Sequence, residues 1–183
     1  MRRVVVVGLA ATFFATAPSL AQQQPYAGLQ AGPVKALSKE QIADLKAGRG
    51  MSLALPAELN GYPGPAHVVE LADRLDLSVA QKAKARELFA AMKAETVPLG
   101  EQLIIQEQHL DSLFANKTVT PTSLEAASAA IGTTQGKLRG AHLKYHLAMI
   151  AELTPGQVDR YAALRGYANT SAQPHRHGHA PPK

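Results

Sequence analysis

A chain of 183 residues with 19 Lys and Arg against 14 Asp and Glu reads as a single domain, with no basic block of the kind that binds nucleic acid. The absence of cysteine excludes disulfides and thiolate metal centres. The absence of tryptophan and an aromatic content of 5 % argue against a stacking platform for sugars or bases.

The N-terminus has the layout of an export signal. Arg2 and Arg3 form a positive start, Val4–Ala17 is apolar but too short to span a bilayer, and Ser19-Leu20-Ala21 offers a small-x-small cleavage frame. Cleavage after Ala21 makes 1–21 a signal peptide, with a periplasmic location and no membrane insertion afterwards. It leaves 17 basic against 14 acidic side chains, a net +3. Residues 22–36, rich in Gln, Gly, Ala and Pro, read as a disordered segment.

Residues 37–64 read as a short helix and a loop. Ser38 can cap a helix over Ser38–Ala47, Gln41 stands at its third position, and Gly48 can end it in the left-handed conformation. The following Gly/Pro-rich stretch carries Met51, Leu53, Leu55, Leu59 and Tyr62, which predict a loop packed along another element.

The main domain is expected over 65–167. Pro65 suits the first turn of a helix reaching about Leu75. Beyond Ser78, the residues Ala85, Phe89, Met92, Thr96, Leu99, Leu103, Gln106, Leu110 and Leu113 step by four and three, which predicts a helix over 79–114. Pro98 should kink it without ending it. After a short turn, Thr120-Pro121 opens a partner helix with the seam Leu124, Ser128, Ile131, Gln135, Leu138, His142, Tyr145 and Met149. A helix over about Pro155–Arg165 carries Val158, Tyr161 and Leu164 on one face and stops at Gly166. Residues 168–183 form a disordered, His-containing tail. The fold class is all-α: a long kinked antiparallel hairpin with short flanking helices, cradle-like, with disordered ends.

One motif recurs: Leu, Ser or Thr, two free positions, then Gln, at Leu37–Gln41, Leu77–Gln81 and Leu153–Gln157. In each copy the hydroxyl can cap a helix while the Gln returns a hydrogen bond to the cap's own N–H, at about 1 kcal/mol per cap. The leading Leu can staple onto the fourth helical residue in Leu37/Ile42 and Leu153/Val158, whereas Leu77 meets Lys82.

An export signal, no cysteine, a long hairpin, and the motif residues Leu77, Ser78 and Gln81 before its first arm with Leu153, Thr154 and Gln157 after its second together resemble the LTxxQ-motif family. That family comprises Spy/CpxP-type periplasmic chaperones and envelope-stress adaptors, and related heavy-metal sensor and resistance proteins. The resemblance covers about Pro65–Tyr167, with Ser78 in place of Thr. It implies a non-enzymatic helical protein, often a homodimer forming a curved cradle, that holds unfolding clients or responds to metals.

Two functional readings follow. A helix over 79–114 would extend about 54 Å, longer than a compact domain of this size. Val97, Ile104, Ile105 and Phe114 fall off its seam, and Lys82, Lys84, Arg86 and Lys93 surround its first half. Such a surface suits unfolded or misfolded periplasmic proteins, a membrane sensor protein or a second copy. On that reading the protein is an ATP-independent holdase or stress adaptor. The alternative is metal binding. His142 and His146 share a helix face with Met149 one turn on, within reach of His67, Glu70 or His109 on neighbouring helices, and His175, His177 and His179 alternate in the tail. Both groups suit Zn²⁺, Ni²⁺ or Cu²⁺, with no cofactor obligatory. Catalysis finds no support: there is no Ser-His-acid frame, phosphate loop or zincin helix. His142 and Glu152 lie about 15 Å apart on one rod.

Overall fold

The computed structural model describes residues 32–167, which fold into six helices with no strand among them. The segment 1–21, the first ten residues of the segment 22–36, and the tail with His175, His177 and His179 lie outside the described residues, whereas Val34 of that second segment is buried in the core.

The order is α1 Lys39–Ala47, α2 Leu55–Glu58, α3 Pro65–Glu70, α4 Val79–Ala115, α5 Pro121–Ile150 and α6 Pro155–Leu164. Each expected cap is formed. Ser38, Ser78, Thr120 and Thr154 all close capping boxes, and Gly48 ends α1 at φ +66° with its N–H on the Asp44 and Leu45 carbonyls.

Helix α4 continues through Pro98 for 37 residues, about 55 Å. It packs along α5 as the antiparallel hairpin, with α1 and α3 laid against α4. Gly100 permits the α1 contact, because a Cβ there would stand 2.5 Å from the Leu45 carbonyl oxygen.

Two expected element boundaries need correction. The loop between α1 and α3 contains the one-turn helix α2, started by Pro56 in its first turn. Helix α3 ends at Glu70 rather than near Leu75. The chain turns there to present Ser78 as the next cap, with Asp76 left-handed at φ +50°, a conformation that Asp tolerates.

The hairpin seams are also displaced. Leu88, Gly100 and Glu107 are buried beside Ala85, Met92, Thr96 and Leu103, where Phe89, Leu99 and Gln106 are only half-buried. On α5, Ala127 and Thr134 are buried, whereas Ser128 and Gln135 are exposed. A 3.5-residue repeat drifts around a straight helix by about 20° per heptad, and α1 covers a second flank of α4. For the same reason Ile104, expected as spare surface, is buried under Val34 and Leu45, and Val97 is half-buried beside Gly48.

The core divides in two. One apolar cluster gathers Val68, Leu75, Leu77, Ala85, Leu88, Met149 and Tyr161 at the base of the hairpin. The other gathers Val34, Leu45, Leu103, Ile104, Ile131 and Leu138 further along it. Between them on the two long helices lie buried Met92, Thr96, His142 and His146, which belong to neither cluster.

Candidate functional site

At the base, the repeated motif does more than start helices. Gln81 Oε1 accepts the Ser78 N–H at 3.0 Å, and Gln157 Oε1 accepts the Thr154 N–H at 3.0 Å. Their amide nitrogens cross between helices. Gln81 Nε2 donates to the Glu152 carbonyl and to Gln157 Oε1, both at 2.8 Å. Gln157 Nε2 donates to Gln81 Oε1 at 3.1 Å and to the Leu75 carbonyl at 3.4 Å. Two capping boxes thus lock face to face and tie the starts of α4 and α6 together. Glu could close a capping box equally well, but only an amide has the second, donating end that this junction uses. Leu77, without a staple partner, is buried in the basal cluster instead, and Leu153 packs against the same cluster.

Above that junction, the polar layer between the two apolar clusters opens into a cavity of about 240 Å³. The helices supply Met92, His142 and His146, and the α1–α3 connection lines the other side with Gly50, Met51, Glu58 and Gly64 among others. His142 is 2 % exposed, and its Nε2 has no hydrogen-bond partner. Burial, and then the neighbouring charge of His146, hold its pKa below the ordinary value of 6.5. His146 Nδ1 lies 2.7 Å from the Tyr62 carbonyl. A carbonyl can only accept, so Nδ1 carries the proton and the neutral ring keeps its lone pair on Nε2. Gly64 rests against this ring: a Cβ there would stand 2.7 Å from His146 Cε1.

The residue that sequence reading missed is Glu58. It is 7 % exposed and accepts the Tyr161 hydroxyl, with the Tyr167 hydroxyl at 3.3 Å on the same oxygen. Arg165 Nε lies 3.5 Å from that oxygen, and His146 Nδ1 lies 3.8 Å from the other. Glu58 therefore pins α2 to α6, while its second oxygen is buried without a hydrogen-bond partner beside the His146 ring of α5. Burial and the bond to Glu58 push the Tyr161 hydroxyl well above the usual tyrosine range. Nothing but its position in a Pro-initiated turn, Leu55-Pro56-Ala57-Glu58, distinguishes Glu58 from a solvated acid in the sequence.

The other expected ligands are spread out. His67 lines the cavity; its Nδ1 faces Glu70 at 3.4 Å and its Nε2 faces Arg165 at 3.2 Å. Glu70 is exposed. Met149 is fully buried in the basal apolar cluster. His109 is exposed on α4, fourteen residues past Glu95, the residue that receives the Tyr145 hydroxyl. That separation is about 21 Å along the axis. Among the described residues, no group of three or more His, Cys, Asp or Glu is placed to hold a metal ion.

Towards the hairpin tip, Ile105 and Phe114 are 64 % and 54 % exposed and Leu124 is 39 % exposed. From Pro121 to Gly136, α5 carries a single charge, Glu125. Its exposed residues there are mostly Ala, Gly, Ser and Thr.

A family described as heavy-metal resistance matches the chain over residues 56–160, more than half of its length. The match takes in both halves of the Gln81–Gln157 junction, the whole α4–α5 hairpin and Glu58. No curated protein and no solved structure matches the chain.

Proposed function

The chain belongs to the heavy-metal resistance family, within the LTxxQ, Spy/CpxP-like group of periplasmic proteins, and from that premise we propose that it is a periplasmic, ATP-independent holdase or envelope-stress adaptor. Members of this family are typically periplasmic and of a non-enzymatic, resistance or chaperone type. No described helix is long and apolar enough to cross a membrane. The observation that carries the reading is the tip half of the hairpin. Ile105, Phe114 and Leu124 stand exposed beside a stretch of α5 with one charge in sixteen residues, where a solvated helix would alternate charges along its face. A surface that is apolar in spots and otherwise small and uncharged can take up unfolded chains of many sequences, or a second copy of itself. The test is aggregation of a chemically denatured client in chelator. Equimolar protein should suppress it, and Ile105→Asp with Phe114→Asp should abolish most of the effect while leaving helicity intact. An aggregation curve unchanged by the wild-type protein would sink the reading.

A second reading, metal binding, is supported by His142 Nε2, which is buried without a partner in the same cavity as His146. An orphaned buried nitrogen costs about 1–3 kcal/mol, and ligation would satisfy it. Zn²⁺, Ni²⁺ and Cu²⁺ are the ions expected of two imidazoles, with the tail histidines as a separate, weaker site.

A further inference from the structure

We infer that Asn60-Gly61, in the turn between α2 and α3, is a site of spontaneous modification: the Asn60 side chain loses ammonia and takes up water, residue 60 becomes isoaspartate, and the turn detaches from the histidine layer. The inference stands apart from both the holdase and the metal-binding readings.

The reaction needs the backbone nitrogen of the following residue to reach the side-chain carbonyl carbon of asparagine. Gly61 N attacks Asn60 Cγ and forms the new N–C bond, the Cγ–Nδ2 bond breaks, and the proton from Gly61 N leaves with the ammonia. Water then opens the cyclic imide. Opening at the backbone carbonyl routes the main chain through the former side chain, a methylene longer; opening at Cγ leaves aspartate. A Cβ on the following residue would crowd the attacking nitrogen. Gly61 has none, and it holds φ +84° with nothing within 4 Å of where a Cβ would stand.

The surroundings leave this pair free to react. Asn60 is exposed, and both residues lie between α2 and α3 rather than in a helix. The bonds that close the turn run from the Asn60 and Tyr62 N–H groups to the Ala57 carbonyl, on either side of the Gly61 nitrogen. One bond restrains the amide: Asn60 Nδ2 donates to the Pro56 carbonyl at 2.8 Å. An exposed bond of this kind opens readily. It slows the attack by about tenfold at most, which is about 1.4 kcal/mol. The other asparagines, Asn116 and Asn169, precede Lys117 and Thr170, whose side chains crowd the nitrogen. Asn116 is also held as the C-cap of α4, its N–H on the Ser112 and Phe114 carbonyls.

The position gives the reaction its consequence. Glu58 lies two residues before Asn60 and Tyr62 two after it, and both face His146: the Tyr62 carbonyl at 2.7 Å and the second Glu58 oxygen at 3.8 Å from Nδ1. A methylene added to the main chain between them pulls that arrangement apart. The product also adds a carboxylate to a surface pocket already lined by Glu58 and Asp159, where like charges repel. Arg160 and Arg165 are engaged with Asp76 and Glu58.

The experiment ages the full chain in mildly alkaline buffer and follows ammonia release, peptide masses and labelling by an isoaspartate-specific methyltransferase. The peptide carrying residue 60 should gain the mass of an amide-to-acid exchange and accept methyl groups, while the Asn116 and Asn169 peptides stay unchanged over the same period. Asn60→Gln keeps an amide but sets it a methylene further from Gly61 N, and should abolish the ammonia release. The folded chain should react within about tenfold of the urea-unfolded one. Equal reaction at Asn116, unchanged ammonia release from Asn60→Gln, or a folded chain that stays intact while the unfolded one reacts would each overturn the site. The consequence has its own readout. The aged protein should lose the His146 Nδ1–H proton signal in NMR and unfold at a lower temperature than freshly prepared Asn60→Asp, which adds the charge without lengthening the chain. An aged protein that keeps the signal and unfolds together with Asn60→Asp would mean that the turn stays attached, and the detachment is wrong.

Discussion

Gln81 and Gln157 form a closed amide pair in which each oxygen completes its own helix cap and each nitrogen crosses to the other helix. Both amides are saturated, so a change at either residue is felt at two helix starts. Gln81→Ala should cost about 1–3 kcal/mol, from a lost cap and a part-buried hydrogen bond. Gln81→Glu keeps the cap and loses the donor. A double-mutant cycle with Gln157→Glu, followed by urea unfolding, should show strong coupling; additive losses would mean that the two boxes act separately.

Acid should loosen the polar layer. The pKa of His142 is depressed in the fold by burial and by His146, so the unfolded chain takes up its proton first. The stability it contributes is fully present above the unfolded value of about 6.5 and is lost as pH falls from there through the folded value. Unfolding midpoints measured from pH 7.5 to 5 should decline, and His142→Gln should flatten that decline. An equally steep decline in the variant would place the acid sensitivity elsewhere.

Alkali acts at Tyr161. Its raised pKa means that the neutral, donating form belongs to the fold. The stability it contributes is present below the ordinary value of 10.0 and falls as pH rises above it. Tyr161→Phe should cost about 1.5–3 kcal/mol at pH 7, since the lost bond is to a buried carboxylate. It should also remove part of the loss of stability above pH 10.

Two glycines on the hairpin should respond in opposite directions to alanine. At Gly132 a Cβ meets nothing within 4 Å, so the better helix propensity of Ala should stabilise by up to about 1 kcal/mol. At Gly100 the same gain is set against a Cβ 2.5 Å from the Leu45 carbonyl oxygen. That contact is with backbone, which cannot rotate away, and overpacking of about 1–3 kcal/mol should win. Thermal unfolding of the two variants checks the signs, and a stabilising Gly100→Ala would mean that α1 is only loosely seated.

Local rules carried most of the fold into view from the sequence. Four capping residues, the first-turn prolines and Gly48 place helix ends, and they are decided within a few residues of themselves. The buried stripe was less legible. The periodicity of α4 and α5 describes a pair of helices, whereas Ile104 and Gly100 are covered by α1, and no repeat within α4 announces a third partner. The site was half-legible. His142 and His146 declare themselves by spacing, but Met149 followed the same spacing into the apolar core. Glu58 and Met51 reach the layer through the path of the α1–α3 connection, which is set by tertiary packing on the finished hairpin.

The amide pair at the base also bears on reach. Because Gln81 and Gln157 fasten the two arms where they begin and end, everything beyond Asp111 and Ile131, past the second apolar cluster and the Lys35–Asp111 ion pair, is a projection whose length the base does not sense. Adding about seven residues, one heptad, to each arm near the turn would leave the clasp, both capping boxes and the histidine layer as they are. Adding them to one arm alone would leave two turns of helix without a partner at the tip, with the Glu95–Tyr145 contact nearer the base unchanged. How far the tip extends from the base can therefore vary in paired steps, while the chemistry of the histidine layer stays fixed.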